Sequence, residues 1–275
     1  MGNDYLTKLD RLKSILRDTG GCAIGFSGGV DSTLLVTVAH EILGDRCLAV
    51  IATSSTYARD EREQAVQWVR NTGIPYLVIE SEELDIPQFS ENPPDRCYHC
   101  KKELFGKIRL AAAEHGLNCI ADGTNADDVR DYRPGRRAAD ELKVLSPLKE
   151  AGLTKDEIRA ISREVYHLPT ADKPAMACLA SRFPYGSTIT QQKLRQVEAV
   201  ERYLREKGFV GCRARHHGNV LRLELRANDI PRLVDGGIVA GLVQFAKKQG
   251  FTYITLDLEG YRTGSMNEVL DERSV

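Results

Sequence analysis

The sequence predicts an α/β protein: a parallel-sheet domain followed by a smaller α+β domain. Short apolar runs rich in Val and Ile alternate with helical patterns between residues 22 and 121, which is typical of a parallel sheet. Residues 169–188 contain three prolines and no sustained periodicity, as expected of a connection between domains. The 275 residues suffice for two modest domains with separate cores.

The first domain, placed at residues 1–168, begins with an amphipathic helix within the first sixteen residues. Four apolar runs then predict strands, and the segments between them predict helices. The strand runs are CAIGF, CLAVIAT, YLVIE and residues 118–121; the helices begin near Thr33, Asp60 and Lys101. A last helix should follow Thr154, since Thr154 and Glu157 have the spacing of a capping box.

The second domain, placed at residues 189–275, opens with the strongly helical stretch QQKLRQVEAVERYLREKG. The runs CRARHHG and VLRLELR alternate like paired strands, and a helix and the strand FTYITLDL follow. This order of elements predicts a small α+β domain.

Composition excludes several classes of function. With 38 basic and 39 acidic residues, the chain is not one whose whole surface binds nucleic acid or an acidic membrane. No segment approaches the ~20 apolar residues that a membrane span needs. Seven cysteines without an export signal predict free thiols in the cytoplasm.

The stretch FSGGVDST lies between the first strand and the following helix. Glycines and hydroxyl side chains at the carboxyl end of a parallel strand, beside a helix N-terminus, form a site for anions. The stretch has no lysine, so it does not match the Walker pattern of enzymes that transfer the γ-phosphoryl group. Its candidate phosphate-binding residues are Ser27, Gly28, Gly29, Val30, Asp31 and Ser32; Asp31 is a candidate helix cap or magnesium ligand.

A second polar stretch, residues 121–128, follows the fourth strand run. Gly123 and Asn125 are candidates to complete the nucleotide site from a neighbouring strand end. Asp127 and Asp128 are candidate ligands for Mg²⁺, which would offset the charge of a triphosphate. The alternative is a polar loop in which Asn and Asp form turns.

The stretch SGGVDS resembles the loop of the ATP pyrophosphatase superfamily, called the PP-loop. The resemblance implies an adenine nucleotide alpha hydrolase-like fold, in which residues 27–32 cradle pyrophosphate while ATP is cut between its α- and β-phosphates. This chemistry is compatible with a loop that has no lysine, because the α-phosphorus is attacked and the γ-phosphoryl group is not transferred. The alternative is a strand-to-helix turn with no ligand.

Five further stretches together resemble the LarE family over nearly the whole chain: NPPDRCYHCK (92–101), DGTNADDVRDYRPGRRA (122–138), CLASRFPYGS (178–187), RARHHG (213–218) and GYRTGSMN (260–267). The resemblance implies an ATP-dependent sacrificial sulfur transferase that serves the nickel-pincer nucleotide cofactor of lactate racemase. ATP would adenylate a carboxylate of pyridinium-3,5-biscarboxylic acid mononucleotide. The family also implies a homo-oligomer, with a hexamer as the expected form.

The same resemblance implies that a cysteine of the enzyme attacks the adenylate, gives up its sulfur and becomes dehydroalanine. Cys178 is the candidate because it opens the CLASR stretch in the proline-broken segment; its alternative is a small core residue. Ser181 and Arg182 are candidate substrate contacts, and Arg182 is the nearest cation in sequence to favour a thiolate. Glu198 and Glu201 are the possibilities for the base that removes the Cα proton, and the base stays unassigned.

Arg213 and Arg215 alternate along a predicted strand and therefore face one side. The resemblance assigns them to the phosphate of the mononucleotide; the alternative is a solvated strand face. Cys97 and Cys100 form a C-x-x-C pair, which supplies half of a zinc or iron–sulfur site. Some LarE-like proteins hold an iron–sulfur cluster with three cysteines, so cluster-based sulfur supply is the alternative to sacrificial chemistry.

Three other functions share some of these features. An RNA-thiolating enzyme also uses this phosphate loop, but the charge balance and the lack of an added RNA-binding module disfavour nucleic acid. An ammonia-dependent synthetase adenylates its substrate without needing Cys178. A nucleotide sensor would bind ATP without releasing pyrophosphate.

Overall fold

The computed structural model describes residues 4–130, 134–174, 177–262 and 264–271. The chain forms two compact units: Met1–Phe89 with Asp95–Met176, and Ser90–Pro94 with Ala177–Val275. The change of unit at residues 176 and 177 falls inside the predicted connecting segment. Nothing in the local sequence pattern had indicated that Ser90–Pro94 joins the second unit. It does so through backbone pairing, since the amides of Gly186 and Ile189 donate to the carbonyls of Asn92 and Ser90.

The first unit contains the predicted parallel sheet. Its strands are β1 (Cys22–Gly25), β2 (Cys47–Thr53), β3 (Tyr76–Glu80) and β4 (Cys119–Ala121), in the order β3-β2-β1-β4. All three strand pairs are parallel, which confirms the α/β class. Because β1 and β4 are neighbours, the segments that follow them emerge side by side at one edge of the sheet.

Eight helices among the described residues accompany this sheet: α1 (Asp4–Thr19), α2 (Val30–Leu43), α3 (Arg59–Thr72), α4 (Pro87–Ser90), α5 (Arg96–Glu114), α6 (Gly135–Glu141), α7 (Pro147–Glu150) and α8 (Lys155–Glu164). The predicted capping box is present: the amide of Glu157 donates to the Thr154 side chain, and the amide of Thr154 donates to the Glu157 carboxylate. Two helices start earlier than predicted, α2 at Val30 and α5 at Arg96.

The second unit is built on a three-stranded sheet of β5 (Arg213–His217), β6 (Val220–Glu224) and β7 (Tyr253–Leu256). Strands β5 and β6 form the predicted pair, which is antiparallel, and β7 adds parallel to β6. Its helices in the described residues are α9 (Gln191–Glu206), α10 (Ile230–Asp235), α11 (Val239–Lys248) and α12 (Glu268–Asp271). Helix α9 buries Leu194, Val197, Val200 and Leu204, so its apolar face forms part of this unit's core.

No helix in the described part of the chain is both long enough and apolar enough to cross a membrane.

Candidate functional site

The phosphate loop occupies the turn between β1 and α2. Gly28 has a φ of +69°, and a Cβ atom there would lie 2.7 Å from the Cβ atom of Ala65. Both the left-handed backbone and the close approach therefore require glycine at this position. Gly29, with extended backbone (φ −82°, ψ 167°), is the residue that precedes helix α2.

Hydroxyl groups hold this loop in shape. Ser27 Oγ lies 3.0 Å from Ser32 Oγ and accepts a hydrogen bond from the amide of Gly29. Ser32 Oγ in turn donates to the carbonyl of Gly29 at 3.2 Å. The predicted loop residues thus form one hydrogen-bonded turn at the N-terminus of a helix, which is a suitable geometry for a phosphate group.

The second predicted stretch lies against this loop. A Cβ atom on Gly123 would lie 3.2 Å from the amide nitrogen of Ser32, so glycine allows the two segments to approach closely. The side-chain amide of Asn125 donates to Asp31 Oδ1 at 3.3 Å. The structure therefore brings together the candidate residues that follow β1 and those that follow β4.

Two lysines that sequence reasoning missed also contact the loop. Lys155, the first residue of α8, forms an ion pair with Asp31, and its backbone amide donates to Asp127 Oδ2 at 2.7 Å. Lys173 Nζ donates to the carbonyl of Gly28 at 3.0 Å. The loop itself contains no lysine. Two lysines from far along the chain place their positive charges beside it instead.

The candidate aspartates of the first unit form hydrogen bonds and an ion pair with other groups of the protein. Asp31 does not cap α2, because Gly29 occupies the N-cap position of this helix and no side chain forms a capping hydrogen bond there. Asp128 Oδ2 accepts from the amide of Asn125 at 3.0 Å. No three His, Cys, Asp or Glu side chains are grouped as a metal site within the described residues.

In the second unit, Cys178 lies just before a short 3₁₀ helix, Leu179–Arg182. Cys178 is partly exposed and its thiol is free. Its carbonyl accepts from the amide of Ser181 at 3.0 Å, from Ser181 Oγ at 2.9 Å and from the Arg182 guanidinium at 3.3 Å. The predicted residues Cys178, Ser181 and Arg182 therefore form one hydrogen-bonded group, which fixes the backbone that carries the thiol.

Arg182 is buried and paired with Glu201. Its Nε and Nη2 atoms lie 2.8 and 2.9 Å from the two carboxylate oxygens. Burial by itself raises the pKa of Glu201, but the Arg182 charge and its hydrogen bonds outweigh burial, so the pKa of Glu201 lies below its ordinary value. The guanidinium charge is thus balanced by Glu201, and its contact with Cys178 is to the backbone. Glu201 therefore acts as the ion-pair partner of a buried arginine.

Arg213 and Arg215 are both buried, with 6% and 5% of their surface exposed, so they do not lie on a solvated strand face. Arg215 donates to Glu224 Oε2 at 2.6 Å and to the carbonyl of Ser181 at 2.9 Å. Its Nε atom has no hydrogen-bond partner among the described residues. Burial, together with the neighbouring Arg182 charge, lowers the pKa of Arg213, since the positive charges of these arginines repel one another.

All seven cysteines are free thiols. Cys212 is buried, and burial raises its pKa to about 12, which makes it a poor nucleophile at neutral pH. Cys97 is exposed near the start of α5, and the Cys100 thiol lies 3.6 Å from Glu83 Oε1. Of the two cysteines in the second unit, Cys178 is the more accessible.

Comparison with known proteins extends these observations. A protein-family model described as NAD synthase matches residues 8–108, the part that carries the phosphate loop. The glutamine-hydrolyzing GMP synthase of Chlamydia caviae is 26% identical over 199 residues, which cover 64% of this chain and 36% of that synthase.

Other relatives match the chain almost end to end. An uncharacterized protein of Synechocystis sp. is 42% identical over 267 residues, 96% of this chain and 98% of the relative. The pyridinium-3,5-bisthiocarboxylic acid mononucleotide synthase of Lactiplantibacillus plantarum is 36% identical over 268 residues, 96% of this chain and 95% of that enzyme. The chain therefore belongs to the family of that synthase, the LarE family of PP-loop proteins.

Proposed function

We propose that the chain makes pyridinium-3,5-bisthiocarboxylic acid mononucleotide from the corresponding dicarboxylic acid, using ATP and its own cysteine sulfur. The observation that carries this proposal is the 36% identity to a synthase of that product over 96% of the chain. A match of that extent includes the segments of both units. It is therefore more specific than the phosphate loop alone.

In the proposed activation step, a substrate carboxylate attacks the α-phosphorus of ATP, giving an acyl adenylate and pyrophosphate. The loop at residues 27–32, with Gly123 and Asn125, would bind the phosphates through amides and hydroxyls. Lys155 and Lys173 would balance part of their charge. Activation is needed because a carboxylate would otherwise have to lose oxide, whereas the adenylate loses AMP.

Asp31 and Asp127 suit a magnesium ion by their donor chemistry, since Mg²⁺ prefers carboxylate oxygens. Both contact Lys155, one through its side chain and one through its amide, so they lie within reach of a single residue. When bound, the ion would neutralise phosphate charge.

In the proposed transfer step, the Cys178 thiolate attacks the adenylate carbonyl and releases AMP, which leaves a thioester. Arg213 and Arg215 would hold the mononucleotide phosphate, and the free Nε donor of Arg215 supports this role. Loss of the Cα proton of Cys178 then breaks its Cβ–S bond. The products are dehydroalanine in the chain and one thiocarboxylate on the substrate, so the bisthiocarboxylic product requires the sulfur atoms of two chains.

Other sources of sulfur or nitrogen fit the residues less well. The second unit has only Cys178 and Cys212 as thiols, one fewer than a three-cysteine cluster needs, and Cys212 is buried. The NAD synthase match covers residues 8–108, the part that carries the phosphate loop, and supports the use of ATP. We further infer a cytoplasmic homo-oligomer from the family resemblance; sedimentation of the purified protein measures its assembly.

Intact-protein mass spectrometry tests the proposal. After incubation with ATP, Mg²⁺ and the dicarboxylate mononucleotide, we expect the chain to lose the mass of one hydrogen sulfide. Peptide mapping should locate dehydroalanine at residue 178. The Cys178→Ser variant should keep its mass, and Cys212→Ser should lose sulfur like the unmodified chain. An unchanged mass with continued product formation would contradict sacrificial transfer.

A further inference from the structure

Three strands of the first unit begin with a cysteine at the same register. Cys22 of β1 pairs with Cys47 of β2 on one side and with Cys119 of β4 on the other. Side chains at paired positions of neighbouring strands point to the same face of the sheet. The three thiols therefore form a row at the amino end of the sheet, the edge opposite to the phosphate loop.

Only one pair within this row is in sulfur–sulfur contact. Cys22 Sγ and Cys119 Sγ are 3.1 Å apart, whereas the Cys47 thiol donates to the carbonyl of Val36 at 3.9 Å. Adjacent strands lie about 4.8 Å apart, within the Cα separations of about 4.4–6.8 Å that disulfides span. Cys22 and Cys119 can therefore form a bond by a movement of about 1 Å, from contact to the disulfide length of about 2.05 Å.

The two thiols differ in access. Cys22 is fully buried, whereas Cys119 is partly exposed. Cys119 lines an open cleft of about 340 Å³ together with Ile15, Asp18, Thr19, Leu145 and Glu150. A small oxidant can therefore reach Cys119 directly and Cys22 only through it.

The two thiols also differ in acidity. The hydrogen bond from the Cys22 thiol lowers the pKa of Cys119, and it outweighs the opposing effects of burial and of the Glu150 charge. The same contact, together with burial, raises the pKa of Cys22. Cys119 is thus the member of the pair that loses its proton more readily, and the thiolate is the nucleophilic form of a cysteine.

We propose that Cys119 and Cys22 are an oxidisable dithiol pair, in which Cys119 reacts first with a hydroperoxide and Cys22 resolves the product. The Cys119 thiolate attacks the terminal peroxide oxygen and becomes a sulfenic acid, and the other oxygen takes up one proton and leaves as an alcohol, or as water when the oxidant is hydrogen peroxide. The Cys22 thiol then displaces water from the sulfenic acid to form the disulfide. One peroxide is reduced by two electrons, and two thiols are oxidised.

The resulting bond would link β1 to β4 at their first residues. These are the two strands whose carboxyl ends carry the phosphate loop and the segment 122–128. The pair lies in the first unit and uses neither Cys178 nor ATP. It can therefore be tested independently of the proposed sulfur transfer.

Peptide mapping of the peroxide-treated full chain tests the pair. The reduced protein is treated with hydrogen peroxide, its remaining thiols are blocked with N-ethylmaleimide, and the digest is analysed by mass spectrometry with and without a phosphine reductant. We expect a linked peptide that joins residue 22 to residue 119 and disappears on reduction. A linked peptide joining Cys22 to Cys47, or Cys119 oxidised to sulfinic acid beside a reduced Cys22, would overturn the proposal.

Matched variants make the assignment specific. Cys47→Ser removes the other in-register neighbour of Cys22 and should leave the 22–119 link unchanged. Cys22→Ser should leave Cys119 as a sulfenic acid that a dimedone probe captures. If dimedone labels Cys97 instead and not residue 119, the assigned order of reaction is wrong. The wild-type digest decides the main question even if a variant fails to fold.

Discussion

Lys155 shows how a single distant residue can complete a local motif. The loop at residues 27–32 lacks the lysine of a Walker motif, yet the Lys155 ammonium pairs with Asp31 within that loop. A lysine that a carboxylate holds beside a phosphate site can pair with a bound phosphate group, which carries the higher negative charge. The positive charge at this site therefore comes from tertiary structure and not from the local motif.

Replacing Lys155 by alanine should lower pyrophosphate release by about 10- to 100-fold, since a hydrogen bond to a charged group contributes about 1.5–3 kcal/mol. Single-turnover assays of pyrophosphate release at varied ATP measure the effect, and Lys155→Arg should recover part of it. The control is Lys13→Ala, which removes a surface ion pair with Glu41 and should leave the rate unchanged. Equal rates of pyrophosphate release for Lys155→Ala and wild type would show that Lys155 has no role in this step.

The Arg182–Glu201 pair predicts a stability effect in the second unit. Glu201→Gln leaves the buried Arg182 charge uncompensated, and breaking a buried ion pair costs about 3–5 kcal/mol. Hydrogen–deuterium exchange of peptides from α9 and β5 at pH 7 should show faster exchange in this variant. Glu206→Gln, at the exposed end of the same helix, should change the stability by less than about 0.5 kcal/mol.

The same pair has a defined pH dependence. Because the folded-state pKa of Glu201 lies below its ordinary value of 4.5, the pair stabilises the folded state above that pH. This stabilisation is lost as the pH falls below 4.5 toward the folded-state pKa. The Glu201→Gln variant should lack this contribution to acid sensitivity. If wild type and Glu201→Gln lose the same protection against hydrogen exchange between about pH 5 and about pH 3, the assignment is contradicted.

At the scale of elements, the turn between β1 and α2 depends on Gly28. Gly28→Ala adds a Cβ atom at a positive φ and within 2.7 Å of Ala65, so we expect a destabilisation of about 1–3 kcal/mol. Urea unfolding followed by Trp68 fluorescence measures it, because Trp68 packs against Phe26 at 5.4 Å between ring centres. Gly106→Ala, inside α5 with open space around it, should instead stabilise by about 0.5–1 kcal/mol. If both variants respond alike, the turn does not require glycine.

Elements with a strong local signal were predicted well from the sequence. The strand CLAVIAT matches β2 residue for residue, and the capping box of α8 follows from two side chains three residues apart. The early start of α5 was missed because the prolines and polar residues before Cys97 resemble a loop. The close approach of Gly123 to Ser32 depends on the order of strands in the sheet, which local patterns do not specify.

Site residues that act through long-range pairing were the hardest to predict. Arg215 and Arg182 were named as substrate contacts, but their carboxylate partners, Glu224 and Glu201, follow from the packing of separate elements. Lys155 and Lys173 contact a loop more than a hundred residues earlier in the chain. Their sequence neighbourhoods contain no motif that indicates a phosphate site.

At the scale of the whole molecule, the proposed chemistry is divided between the two units. The first unit carries the phosphate loop and its lysines, and the second carries Cys178 and the buried arginines. This division predicts that activation and sulfur transfer can be separated by mutation. Cys178→Ser should still form the adenylate, whereas Lys155→Ala should be impaired in that first step.

Release of pyrophosphate is the most direct test of the central claim, that ATP is cut at the α-phosphorus to activate a carboxylate. Purified protein is mixed with ATP, Mg²⁺ and the dicarboxylate mononucleotide, and both phosphate products are measured. We predict pyrophosphate and AMP, formed only when the dicarboxylate is present. Formation of ADP and inorganic phosphate, or no pyrophosphate at all, would contradict the account.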